Sequence, residues 1–207
     1  MTRTPFAALL TSAALVLSSC SGADNGVRGG EPERRLAIAT VAADVEQVKQ
    51  LLAAGADPNK MAAYEGHYQS PWKLALQQVR PGRPSTSEIV QVMLKAGANP
   101  SVVWGEAPSR RGEAFTAQRH EPMSDAVLYS APDVARALMA AGLSPRRAET
   151  ALVLAIENGQ VEIVYVLVEA GVDVNSHGAS TPLVAAIDAR NLALVTYLEE
   201  HGAREKP

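Results

Sequence analysis

Cysteine is almost absent from this chain: Cys20 is the one thiol in 207 residues. That excludes an internal disulfide framework and any zinc site built on several cysteines. Aromatic side chains are scarce too, with two Trp, five Tyr and two Phe. A core must therefore come from Ala, Leu and Val, as in stacked short helices. No basic excess exists, since the formal net charge is −3, and that balance argues against nucleic acid as a partner. The histidines are His67, His120, His177 and His201. No two of them stand three or four residues apart to pair on a metal from one helix. Glycine-rich phosphate loops, nucleophile elbows and paired-carboxylate motifs are missing as well. The expectation is a protein that is not an enzyme and holds no cofactor or metal. What is present is a 47% hydrophobic chain, too apolar to be mainly disordered. Its length suits one medium domain or a short repeat array.

The first twenty residues read MTRTPFAALLTSAALVLSSC, with Arg3 the only charge before Asp24. A basic start and a 12-residue apolar run from Phe6 to Leu17 have the layout of a secretory signal. Such a run is too short to span a hydrocarbon layer of about 30 Å. The alternative for the same run is a buried N-terminal helix. Leu17-Ser18-Ser19-Cys20 resembles the bacterial lipobox, in which a hydrophobic and two small residues precede an acceptor cysteine. The resemblance implies removal of residues 1–19, diacylglyceryl attachment to the Cys20 thiol and acylation of the new terminus. Several acyl chains, at about 0.8 kcal/mol per buried CH₂, make a durable membrane anchor. Ser21, standing where an Asp would signal retention, implies sorting to the outer membrane facing the periplasm. The competing expectation is a soluble periplasmic protein with a free Cys20. Residues 20–34 are rich in glycine and charge and read as a lipidated flexible tether, leaving 35–207 as the folded domain.

That domain repeats itself. Helix-stop glycines recur at Gly55, Gly97, Gly142, Gly171 and Gly202, each after an apolar pattern of helical period. Positions 10, 7, 4 and 3 before each glycine form a shared face. They are Val45, Val48, Leu51, Leu52 in the first unit and Val161, Val164, Leu167, Val168 in the fourth. In the fifth, Leu192, Val195 and Leu198 are followed by Glu199, the polar substitution expected of a terminal cap. A second landmark lies 20 residues upstream of three glycines, at Pro122, Ala151 and Pro182, and 26 upstream of Gly97, at Pro71. Extra residues are thus expected near 79–86 and 102–120. Gly55-Ala56-Asp57-Pro58-Asn59, Gly171-Val172-Asp173-Val174-Asn175 and Thr181-Pro182-Leu183 resemble the ankyrin-repeat family over about residues 33–205. The resemblance implies an all-α helical-repeat solenoid of about five repeats with short hairpin-like loops. Departures are plain: the glycine spacings are 42, 45, 29 and 31 where the family period is near 33, and no repeat keeps the family's histidine.

Ankyrin relatives bind proteins through loop tips and the concave face of their first helices, so the resemblance implies a protein partner. The irregular connector from Ala98 to Glu121 draws attention, because long loops in compact domains are usually functional or disordered. Five of the eight aromatics after residue 19 fall between Tyr64 and Phe115. Trp72 takes a core position, whereas Tyr64, Tyr68, Trp104 and Phe115 fall on expected loops. With Arg110 and Arg111 these are the candidate partner-binding residues, since exposed Trp, Tyr and Arg anchor interfaces. Residues 73–119 carry +4 and the remainder of the chain after residue 19 carries −8. That tally fits a basic patch facing an acidic protein surface; uneven charge on solvated loops is the alternative. The expected function is a non-catalytic, envelope-anchored protein-binding module, with membrane attachment at Cys20. Narrower or competing versions are an immunity-type lipoprotein that neutralises a periplasm-delivered toxin and a structural or stress-protective envelope component.

Overall fold

Proline, small polar residues and glycine punctuate the chain, and the helices obey them. The structure, a computed structural model, describes residues 29–80, 82–104, 121–176 and 180–204. Within these it is an all-α helical-repeat solenoid of five helix pairs. These are α1 (Glu31–Val41) with α2 (Val45–Ala53), α3 (Pro71–Gln78) with α4 (Pro84–Lys95), and α5 (Pro122–Leu128) with α6 (Pro132–Ala140). The last two are α7 (Glu149–Glu157) with α8 (Val161–Glu169), and α9 (Pro182–Asp188) with α10 (Leu192–Glu200). One hairpin, β1 (Ala62–Tyr64) and β2 (His67–Gln69), precedes α3. Pro71, Pro84, Pro122, Pro132 and Pro182 each open a helix, where the missing N–H costs nothing. The Ser70 and Thr181 hydroxyls accept the Lys73 and Val184 N–H groups at 3.2 and 3.3 Å, capping α3 and α9.

Each of the five expected glycines ends a second helix. At Gly171 the N–H donates to the Val168 carbonyl (2.9 Å) and Val172 N–H to the Leu167 carbonyl (3.1 Å), with φ +83° at the glycine. That is the Schellman pattern, which satisfies two carbonyls the helix leaves orphaned. The residue after each glycine, Ala56, Ala98, Leu143, Val172 or Ala203, is buried, so every stop is also pinned to the core.

First helices stack on first helices, α1 on α3 and onward to α9, while α2, α4, α6 and α8 form the second layer. Between the layers runs one continuous core of Leu, Val, Ala and Ile, including Leu36, Leu51, Leu138, Ile156, Leu167 and Leu198. Trp72 is buried as expected, and its Nε1–H donates to the Asn99 carbonyl at 3.0 Å, so its one polar group is satisfied.

Two expectations need correction, and two others gain detail. The tether does not reach residue 34, because α1 begins at Glu31. Buried Glu33 accepts the Gly30 N–H (2.7 Å) and the Asp57 N–H (3.2 Å), tying a charge-rich stretch into the first repeat. Part of the 79–86 insertion is helix, since α4 starts at Pro84 and runs for twelve residues. Ala151 is the third residue of α7, into which a 3₁₀ turn at Pro145–Ala148 leads. Tyr64 and Tyr68 lie on strands, not on loops. The 1–19 signal, Cys20 and most of the 102–120 insertion lie outside the described residues.

Candidate protein-docking surface

Side-chain hydrogen bonds join neighbouring repeats at their loops. Asn59 donates through Nδ2 to the Gly97 carbonyl and accepts the Asn99 N–H at Oδ1, both at 2.9 Å. Asn175 does the same three repeats along, to the Gly202 carbonyl and from the Arg204 N–H, both at 3.0 Å. Each asparagine is preset by an aspartate two residues earlier: Asp57 Oδ1 accepts the Asn59 N–H at 2.9 Å and Asp173 Oδ1 the Asn175 N–H at 2.8 Å. Where Ser101 stands in place of asparagine, Arg147 Nη1 donates to its carbonyl instead, at 2.9 Å. At the opposite turns, Gln160 Nε2 donates to the Val127 carbonyl (2.7 Å) and the Ser130 hydroxyl (3.0 Å). The Arg80 guanidinium lies 4.5 Å from the centre of the Tyr129 ring, a cation–π contact between second and third repeats. Lys49 pairs with Glu46 and with Glu88 of the next repeat, each at 2.9 Å, and these bonds raise its pKa. The frame is rigidly registered, so side chains on its surface hold fixed spacings.

The hairpin determines which part of the first-helix layer stays open. Tyr64 and His67 flank the two-residue turn Glu65-Gly66, with positive φ at both residues (46° and 80°), the signature of a type I′ hairpin. Its Ala62 packs with Ala37 of α1 and Leu74 of α3, and Tyr64 and Val41 pack against the same cluster. Beyond the hairpin, three helices show an i, i+4 pair of uncovered or half-covered side chains. The pairs are Ser124 and Leu128 on α5, Val153 and Glu157 on α7, and Val184 and Asp188 on α9. Leu128 is 64% exposed and Val184 45%. Residues four apart share a helix face, so these pairs line up as an apolar band edged by two carboxylates. The sequence reading missed this surface, although the i, i+4 spacing in the first helices was available as a signal.

The proposed anchors are not all free to act as such. Tyr64 is half-buried in the hairpin cluster, and its hydroxyl donates to Glu65 Oε1 at 3.1 Å. Burial first and the adjacent carboxylate second push its pKa up. Trp104 is half-buried and packed against the main core. Tyr68 is 57% exposed on β2. Arg110, Arg111 and Phe115 lie outside the described residues, so the structure does not bring the six candidates together.

Another aromatic cluster was not foreseen. Tyr165 of α8 lies 4.4 Å from Tyr197 of α10, ring centre to ring centre, and Tyr197 lies 4.2 Å from His201. The buried Tyr197 hydroxyl has no hydrogen-bond partner among the described residues. Desolvation, then the Glu169 carboxylate, raises its pKa.

Among the described residues, no group of His, Cys, Asp or Glu is arranged to hold a metal, and no helix is long and apolar enough to cross a membrane. No curated protein matches the sequence. Residues 123–206 match the family model for ankyrin repeats in three copies; over those residues the solenoid resembles a protein–protein interaction module of the ankyrin-repeat kind.

Proposed function

We propose that this protein is a non-catalytic, envelope-anchored binding module that holds a partner protein on the open faces of α5, α7 and α9. The observation that carries the reading is the band of exposed Leu128 and Val184 with half-buried Val153 between them on three successive helices, while the hairpin covers the corresponding face of α1. A band of large apolar side chains on a rigid frame loses nothing by being covered, and each such residue is worth about 1.5–3 kcal/mol when fully buried. Its surroundings select the partner by charge. Residues 121–204 contain five arginines, no lysine and eleven carboxylates, a net of −6. Glu157 and Asp188 stand within the band, so a cationic partner segment with apolar side chains is complementary. The acidic-partner reading draws instead on Arg110 and Arg111 in the connector. Anchoring is supported by the lipobox-like Leu17-Ser18-Ser19-Cys20 and by the lone thiol in the position that lipidation requires.

The test compares variants of the full chain for a partner captured from envelope extract. Leu128→Glu and Val184→Glu each weaken capture at least tenfold, while Phe115→Ala with Arg110→Glu and Arg111→Glu leaves it unchanged. The reverse pattern would move the docking surface to the connector. Labelling with an alkyne fatty acid checks the anchor: Cys20→Ser abolishes incorporation.

A further inference from the structure

The two ends of the solenoid differ from its interior at equivalent positions. Each first helix ends in a turn that fixes the register. The carbonyls of Thr40, Leu76, Val127, Ile156 and Ile187 accept the N–H three residues on in α1, α3, α5, α7 and α9 respectively. These five residues are therefore equivalent. Four of them, Thr40, Leu76, Val127 and Ile156, are buried, and Ile187 is 45% exposed. What distinguishes Ile187 is that no further helix pair follows it among the described residues. The position faces forward, onto the next repeat.

The second helices give the same answer. Seven residues before the terminal glycine, Val48, Val90, Ala135 and Val164 are buried, whereas Val195 is half-buried. Ten residues before it, Val45 and Val161 are half-buried, and Leu192 is 79% exposed. Among these face positions of the last described helix, Glu199 is the one polar replacement, where a terminal repeat ordinarily has a polar outer face.

The opposite end carries the matching position. Two residues before the forward-facing set stand Ile38, Leu74, Asp125, Leu154 and Ala185. Leu74, Asp125 and Ala185 are buried and Leu154 is half-buried, while Ile38 is 43% exposed. This position faces backward, onto the preceding repeat. On α1 it shares its face with exposed Arg35 and with Arg34, which is ion-paired to Glu31 at 2.7 Å, whereas Asp188 and Glu199 follow Ile187 and Val195 in α9 and α10.

We propose that copies of this chain associate head to tail, the α1–α2 face of one continuing the helix stack beyond the α9–α10 face of another. The interface is the repeat-to-repeat packing already present four times within the chain, and each end holds the half the other lacks. Charge chooses this arrangement over a back-to-back dimer. Head to tail sets Arg35 of α1 near Asp188 and Glu199, whereas back to back sets those carboxylates against their own copies. A heterologous contact of this kind does not close on itself, so the assembly grows with concentration. The inference shares Asp188 with the docking band on α5, α7 and α9 but rests on Ile187, Leu192 and Ile38, which lie outside it.

Sedimentation velocity of the full-length protein in density-matched detergent tests it. The average mass should rise with protein concentration and pass that of a dimer. Ile187→Glu and Ile38→Glu should each sediment as monomers. An equimolar mixture of the two should form dimers and nothing larger, because one intact pair of faces remains; dimer formation also shows that both variants fold. Leu192→Glu, at a position exposed in the single chain, should weaken association at least tenfold with an unchanged helical signal. A wild-type protein that stays monomeric throughout overturns the proposal. So does self-association that Ile187→Glu abolishes and Ile38→Glu leaves intact, which is the back-to-back outcome. Association unchanged by all three variants overturns it as well.

Discussion

Two kinds of residue occupy left-handed backbone here, and they are under different strain. Gly171 holds φ +83°, and a Cβ built on it meets nothing within 4 Å, so a side chain there would cost conformation only. Gly171→Val should destabilise the protein by about 1–2 kcal/mol, read as a lowered urea midpoint at unchanged slope. The turns between first and second helices use the same conformation. There Ala43, Ser130 and Arg190 stand at φ 56°, 50° and 54°, where the fourth repeat has Gly159 at 66°. Arg190→Gly should therefore stabilise by up to about 1 kcal/mol, the steric relief exceeding the extra chain entropy of glycine. A lowered midpoint for Arg190→Gly would mean that the arginine side chain contributes something the turn geometry does not reveal. The glycine stops were legible because glycine is the usual answer to this conformation. The three other turns were not, because alanine, serine and arginine carry no such signal.

Helices and their spacing were read from periodicity, but the ties between repeats were not. Gly55-Ala56-Asp57-Pro58-Asn59 and Gly171-Val172-Asp173-Val174-Asn175 stood out as motifs, and the structure gives their shared aspartate and asparagine a purpose. Each asparagine exchanges two hydrogen bonds with the next repeat and is held by its aspartate. Net contributions near 1 kcal/mol per bond put Asn59→Ala and Asn175→Ala at about 1–2 kcal/mol each. The loss should also be local. Hydrogen exchange should quicken at Asn99 and around Gly97 in the first variant, and at Arg204 and around Gly202 in the second. Equal quickening at both junctions in either variant would show that the ties act through the whole array instead. Other elements misled for physical reasons. The 31–34 segment looked like tether because its stabilising group is a carboxylate, Glu33, one oxygen of which accepts the Gly30 N–H and the other the Asp57 N–H 24 residues away. Tyr64 and Trp104 looked exposed because an aromatic suits a loop tip and a core edge equally; only their packing tells the two apart.

At the scale of the molecule, a solenoid has no single centre. Each repeat is held by its neighbours, so stability is close to a sum of repeat and interface contributions. The chain offers a controlled comparison. Leu138 and Leu198 occupy the same position, four residues before their glycines, and both are fully buried. Leu138 sits in α6, between α4 and α8. Leu198 sits in α10, with no described helix beyond it. Truncating a buried leucine costs about 2–5 kcal/mol, depending on how far the site can relax. Both substitutions remove the same atoms, so a difference between them reports position in the array. Leu198→Ala should fall at the low end, because the last repeat can loosen without disturbing the rest. Leu138→Ala should fall at the high end and split one urea transition into two, as the first two repeats and the last two lose the link that made them cooperative. Hydrogen exchange should then show α9 and α10 opening first in Leu198→Ala, with α1 to α4 unaffected. Equal costs and a single shared transition for the two variants would mean that the five repeats melt as one body, and that the one-dimensional account of this fold is wrong.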